Sequence, residues 1–201
     1  TEGQMYKMLN ENFKDAEKGT AVFVDYKSGE GQLENPLMWQ DFEALPTGDL
    51  TELKGWFLSS VGGTEWKVTS YDDNQYVQYS ANKMEGECIA WMVTPAISVA
   101  AGDYLGFDVT VGYYNANCLS VLISEDFDGK DVKTAHWTDV TSDFNIPTKP
   151  TSGYGTFASA GKVSLSAYAG KKVYVAFKYV GDGVNKKTTT YQIDNIMVGT
   201  S

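Results

Sequence analysis

The run Lys172-Val-Tyr-Val-Ala-Phe-Lys-Tyr179 constrains this chain more than any other segment. Val173, Val175, Phe177 and Tyr179 fall on one face, and Tyr174, Ala176, Lys178 and Val180 on the other. That is the period of two of a pleated strand, which an amphipathic helix does not show. Before it, Val163-Ser-Leu-Ser-Ala-Tyr-Ala-Gly170 reads as a strand and a turn closed by glycine; after it, Tyr191-Gln-Ile-Asp-Asn-Ile-Met-Val198 reads as a closing strand. Asp194 interrupts the apolar series Ile193, Ile196, Val198, and a carboxylate there needs a hydrogen-bonding partner or a metal ion. Capping a turn or accepting backbone hydrogen bonds would also satisfy it.

The same alternation recurs upstream. Trp66–Tyr71, Gln75–Ser80, Ile89–Val93, Leu105–Val111 and Leu119–Ile123 all fit strands, with turn chemistry between them at Asp72-Asp-Asn, Ala101-Gly-Asp and Asp126-Phe-Asp-Gly. Many short strands with hardly any helical pattern predict an all-β chain, two antiparallel sheets packed as a sandwich, with a jelly roll the favoured form. The first residues read differently. Met5, Met8, Leu9, Phe13 and Ala16 recur at helical spacing, yet Ala21–Asp25 looks like a strand, so helix and strand both stand for residues 5–13. Residues 27–36 and 46–54 read as a long loop or small subdomain, and 142–155 as a second long loop. The 201 residues suit one domain, 1–201, with the insertion or subdomain carried by its N-terminal residues 1–54.

Composition excludes several classes. Aromatic residues make up 13% of the chain, enough burial to oppose disorder. The formal charge is −10 and every one of the 16 basic residues is lysine, which argues against a nucleic-acid surface and against anionic lipid headgroups. No apolar stretch reaches the ~18 residues of a spanning helix. Cys88 and Cys118 lie in strand-like sequence; one disulfide or two buried thiols are both compatible with that, and neither cysteine has the neighbours of a zinc site or a Cys-His nucleophile.

A set of segments in order, Gly55-Trp56, Gly63-Thr-Glu-Trp66, Asn74-Gln-Tyr76, Trp91-Met-Val-Thr-Pro95, Leu119–Ser124, Asp126-Phe-Asp-Gly129, Trp137, Leu165–Gly170 and Tyr191-Gln-Ile-Asp-Asn195, resembles the choice-of-anchor J and cleaved-adhesin group. Upstream, Glu11-Asn-Phe13 fits the same order. The resemblance implies a jelly-roll sandwich similar to MAM domains and carbohydrate-binding modules. It also implies secreted or lipid-anchored surface proteins of Bacteroides-type bacteria, an extracellular or outer-membrane location, and a non-catalytic adhesive or carbohydrate-binding role. The partner would be a glycan or a surface protein. Related jelly rolls hold a structural Ca²⁺, and by that resemblance its ligands here would be Glu11, Asn74 with nearby carbonyls, and Asp194. Asp41-Phe-Glu43 could serve as the first-strand motif instead, with Glu43 replacing Glu11. Oxygen ligands of mixed charge suit a hard cation.

Aromatic and amide residues offer a second route to function. A pyranose is apolar on its faces and polar at its rim, so exposed rings and Asn or Asp side chains together bind it. Tyr113, Tyr114, Asn115 and Asn117 form a compact stretch of that composition, and Tyr154 with Phe157 form another. Trp66, Trp91 and Trp137 are expected in the core. Asp126–Asp131 lacks the distal Glu of an EF-hand and reads as a turn. For catalysis, Asp108 is the best carboxylate but belongs to the outward face of its strand; His136 has no nucleophile or acidic orienter at motif spacing, and Ser124 and Ser166 lack a nucleophile elbow. The expectation is a chain that is not an enzyme, with a structural envelope domain and a glycoside-acting jelly-roll enzyme as the other two readings.

Overall fold

The computed structural model of the chain describes residues 35–200. Among these residues thirteen strands run in this order: β1 (Asn35–Gln40), β2 (Gly48–Asp49), β3 (Phe57–Val61), β4 (Lys67–Tyr71), β5 (Asn74–Tyr79), β6 (Glu87–Val93) and β7 (Ile97–Ser98). They continue with β8 (Asp103–Gly112), β9 (Leu119–Ser124), β10 (Thr138–Asp139), β11 (Ala158–Ser164), β12 (Lys172–Asp182) and β13 (Thr190–Thr200). The helical content of the described residues is three single turns of 3₁₀ helix, at Leu50–Glu52, Thr141–Asp143 and Ser166–Tyr168. None is long and apolar enough to cross a membrane.

Two antiparallel sheets face each other. Sheet A has the order β11-β8-β13-β5-β4-β2, with β1 added against β13; sheet B has the order β10-β9-β12-β6-β3, with β7 against β12. From β5 onward the long strands alternate between the sheets: β5, β8, β11 and β13 in A, and β6, β9 and β12 in B. That sheet-switching path is the sandwich predicted from the alternating segments. The expected loop at 46–54 contains β2 and the first 3₁₀ turn. The readings for residues 5–13 and 21–25 lie outside the described residues.

Period two decides what fills the core. Val173, Val175, Phe177 and Tyr179 of β12 are fully buried and face Leu105, Phe107, Val109 and Val111 of β8 and Ile193, Ile196 and Val198 of β13. Phe107 and Phe177 meet edge to face at 5.1 Å between ring centres. Each such side chain taken out of water is worth on the order of 2 kcal/mol. Trp66 is fully buried against Tyr79, as expected. Tyr179 keeps its hydroxyl satisfied inside the core by donating to the Thr189 carbonyl at 2.9 Å and accepting from the Ala81 amide at 3.0 Å.

The outer faces of the two sheets differ. On sheet B a second apolar cluster forms where the β9–β10 loop folds back, laying Phe127, Val132 and Trp137 over Val93, Leu122 and Ala176. Trp91 and Trp137, expected in the core, sit here half-buried, 5.3 Å apart. Trp91 points outward from β6, and Trp137 belongs to the loop that folds over it, so the two rings pack on each other outside the main core. Among the described residues sheet A has no such cover across β4, β5 and β13, and its outer face forms a groove.

Candidate functional site

The groove lies on the outer face of sheet A and measures about 850 Å³. Its floor consists of the alternate, outward-pointing residues of adjacent strands: Asn74, Tyr76 and Gln78 of β5, Gln192 and Asp194 of β13, and Asp108 of β8. Register puts Gln78 opposite Gln192 and Asp108 opposite Asp194. Gln192 Nε2 donates to Gln78 Oε1 at 2.7 Å and to the Tyr76 hydroxyl at 3.3 Å, which fixes the amides in one orientation.

Asp194 and its neighbour occupy a β-bulge. The pairing of β13 with β8 slips between Asp194 and Met197, and Asn195 takes a left-handed φ of 49°. The extra residue lets Asp194 and Asn195 both turn toward the groove while Ile193 and Ile196 both remain in the core. Asp194 thus belongs to the outer face of the sheet, although it is only 3% exposed. Its Oδ2 accepts from Asn74 Nδ2 at 3.0 Å and its Oδ1 from the Asn195 amide at 2.7 Å, while Asn195 Nδ2 donates to Asp108 Oδ2 at 2.8 Å. Burial pushes the Asp194 carboxyl up to about 6, against the lowering effect of these two donors, and the Glu43 and Asp108 carboxylates add to the rise.

Two walls rise from the floor. One is the β4–β5 hairpin, where Asp72 and Asp73 have φ of 52° and 62° and Tyr71 pairs with Asn74 across a two-residue turn of type I′. This tight turn holds Tyr71 at the rim, 77% exposed. The other wall is the segment Tyr154–Phe157, which lines the groove from the β8 side. Tyr154 is 53% exposed, and its ring lies over Gly112, where a Cβ would stand 2.5 Å from the ring. Phe157 packs edge-on against Tyr76 at 5.1 Å. Burial raises the Tyr76 hydroxyl above the usual phenol range, and the neighbouring Tyr154 and Tyr71 phenols push it the same way from the two walls.

The sequence-based candidates are distributed as follows. Asn74 and Asp194 are in direct contact, and Glu43 is near enough to act on the Asp194 carboxyl. Glu43 is itself tied to β5: its Oε1 accepts from the Gln75 amide at 2.8 Å and its carbonyl from Gln75 Nε2 at 2.6 Å. Glu11 lies outside the described residues. Tyr113 is exposed and stands edge-on to Tyr154 at 5.4 Å, beside the groove wall. Tyr114, Asn115 and Asn117 do not join it there. Tyr114 packs against the core and donates to Asn117 Oδ1 at 2.9 Å. Asn115 is spent on the loop before β13, donating to Thr188 Oγ1 at 2.8 Å and accepting from the Thr188 amide at 2.9 Å. Asn117 borders a smaller hollow of about 410 Å³ with Ser120, Asp139 and Asp182. Tyr154 and Phe157, the second aromatic pair, both line the groove. Tyr71, Tyr76, Gln78 and Gln192 went unrecognised as site residues, because only strand register brings them together.

Asp194 and Glu43 offer carboxylate oxygens to a hard cation, and Asn74 would add its Oδ1 only with the amide turned, since its Nδ2 faces Asp194. The buried Asp194 carboxyl, raised further by Glu43 and Asp108, has no lysine or histidine among the described groove-lining residues to balance it. Among the described residues no three of His, Cys, Asp and Glu converge into a cage by themselves, so Asn74 and main-chain carbonyls would have to complete the shell.

His136 does have an acidic orienter, contrary to the expectation. Its Nδ1 lies 2.6 Å from Asp126 Oδ2, ten residues upstream. The His136 ring holds the Asp126 carboxyl down at about 2, and Asp126 in turn raises the imidazole. Ser124 Oγ, however, is buried and donates to the carboxylate of Asp126, at 2.9 Å, rather than to the imidazole. This arrangement pins the loop after β9 and provides no serine activated by a base.

Three domains of known structure share this fold. The K2 cleaved adhesin domain of Lys-gingipain superposes with a TM-score of 0.59 at 14% identity, over 82% of this chain and 98% of that domain. The K3 cleaved adhesin domain of Lys-gingipain from Porphyromonas gingivalis W83 gives 0.54 at 19% identity, over 83% of this chain and all of that domain. The K1 domain of the same protein gives 0.52 at 20%, over 82% and 98%. At these identities the likeness is one of fold, and it bears out the sandwich that the resemblance implied. No curated protein matches the sequence. Residues 97–200, which include β8, β13 and the Tyr154 wall, match a family described as a domain of unknown function, DUF5017. The chain belongs to the DUF5017 family.

Proposed function

We propose that this chain is a non-catalytic adhesion or carbohydrate-binding module that works outside the cell, holds a glycan in the groove of sheet A, and is braced beneath that groove by Ca²⁺. The observation that carries the reading is the pairing of two exposed rings, Tyr71 and Tyr154, on opposite walls of a floor made of amides, hydroxyls and carboxylates. Exposed rings take the apolar faces of sugars, and a fixed polar floor takes the hydroxyls. The floor is already ordered, so little side-chain freedom is lost on binding. The fold shared with cleaved adhesin domains supports a surface setting. Asp194, Asn74 and Glu43 are the residues that would hold Ca²⁺, and the ion's two charges would offset part of the charge of the Asp194, Glu43 and Asp108 carboxylates and leave the floor net negative.

The test is retention on polysaccharide gels and a glycan array, in Ca²⁺ and in chelator, for the native chain and for Tyr71→Ala with Tyr154→Ala. Each lost stacking contact should weaken retention by roughly tenfold, with the fold intact by circular dichroism. Calcium should raise the melting temperature of chelated protein, and Asp194→Asn should abolish that rise. Equal retention by the double variant would remove the groove from the reading. Silence on every glycan would favour a protein partner in an envelope assembly. Release of oligosaccharide would replace binding by cleavage, with Asp108 and Asp194 as the carboxylate pair.

A further inference from the structure

We infer that the groove accepts an uncharged oligosaccharide laid across the strands and rejects acidic glycans. This rests on the groove being the glycan site and adds the class of glycan.

Charge is the first ground. The floor carries Asp108 and Asp194 directly opposed on neighbouring strands, and Asp72 stands at the rim. Among the described lining residues there is no lysine or histidine, and the whole chain has no arginine. A uronate or sulfate seated here would bring a further negative charge against two fixed carboxylates at a half-covered surface, where water screens poorly and the described lining has no ammonium or guanidinium to receive it. The chain's formal charge of −10 adds a repulsive field at longer range. Exclusion by uncompensated charge is a direct route to specificity. Sugar hydroxyls, in contrast, can donate to the carboxylates and both donate to and accept from the Gln78, Gln192 and Asn195 amides.

Dimensions are the second ground. Tyr71 belongs to β4, and Tyr154 lies over Gly112 of β8, with β5 and β13 between them. Three strand spacings amount to about 14 Å, and register offsets the two positions along the strands as well, since Tyr71 lies level with Asn74 and Gly112 with Thr190, so the span is that of an oligosaccharide laid diagonally rather than a single ring. A chain crossing the strands would rest one sugar on each tyrosine and place the sugars between them over the amide and carboxylate floor.

The experiment is titration calorimetry of the native chain at low salt, in chelator and in Ca²⁺. The probes are cellohexaose, xylohexaose and mannohexaose against hexagalacturonate and a hyaluronan hexasaccharide. At least one uncharged probe should bind, and both acidic probes about tenfold more weakly or not at all. Asp108→Asn should narrow that gap about threefold or more, read as the ratio of the two affinities so that any general weakening cancels. An acidic probe bound as tightly as the best uncharged one, in either buffer, overturns the inference while leaving the groove as the glycan site. Binding of no probe, or binding untouched by Tyr71→Ala with Tyr154→Ala, overturns the glycan reading and this inference together.

Discussion

At the scale of single residues, Asp194 is the most consequential side chain. It is buried and ionisable, and two backbone or amide donors only partly offset the cost of its burial beside Glu43 and Asp108. Its carboxyl is raised from an ordinary value near 3.9 to about 6. The folded chain therefore holds this proton more tightly than the unfolded chain does. The group's contribution to stability is fully present below about pH 4 and is lost as pH rises through about 6. The loss is on the order of 2 to 3 kcal/mol. Asp194→Asn keeps the shape and removes the ionisation. In chelator, urea unfolding at about pH 4 and about pH 7 should show the native chain losing stability relative to the variant by that order as pH rises. A difference independent of pH would show that the site does not penalise the charge. Asp194 stood out in the sequence because it broke an apolar series. Its direction was not legible there, since a strict period of two cannot place Ile193 and Ile196 on one face. That odd spacing was the signal of the bulge at Asn195.

At the scale of elements, the groove exists because, among the described residues, one sheet face is covered and the other is not. The β9–β10 loop carries Phe127, Val132 and Trp137, which close the outer face of sheet B, and Lys178 adds its ammonium 4.8 Å over the Trp91 ring. Over sheet A, Tyr154–Phe157 covers only the β8 side. The strands with clean alternation, β12 above all, could be read from sequence almost residue by residue. The two-residue strands β2, β7 and β10 could not, because two residues carry no period. Nor could the meeting of Tyr71 with Tyr154: it depends on the order β8-β13-β5-β4, which is a property of tertiary pairing. Gly112 gives this wall its position, since the Tyr154 ring occupies the space of the missing Cβ. Gly112→Ala should tilt the exposed ring away from the sheet and weaken glycan retention about as much as Tyr154→Ala does. Its cost to stability should stay near or below about 1 kcal/mol, since the ring can move into solvent. Comparing affinity-gel retention with urea unfolding for the two variants separates the effects. A Gly112→Ala chain that unfolds early would mean the wall is part of the core's support.

At the scale of the whole molecule, stability comes from a core large enough that no cross-link is required. The two cysteines show this. Cys88 on β6 pairs with Gly181 on one side of β12, and the Cys118 carbonyl accepts from the Val180 amide on the other side. With β12 between them, the two residues lie about two strand spacings, or 10 Å, apart. A disulfide tolerates a Cα separation of no more than about 7 Å, so the bond could form only if β12 left the sheet. Both are free and buried, and burial pushes both thiols above the usual range, which keeps them protonated and unreactive. A thiol reagent should therefore label neither cysteine in the native chain and both once urea has unfolded it, and a strong reductant should leave the melting temperature unchanged. A melting temperature lowered by reductant, together with a native mass two hydrogens short, would require a different arrangement of β6, β9 and β12. That would dismantle the sheet opposite the groove, so the thiol measurement also tests the frame on which the site is built.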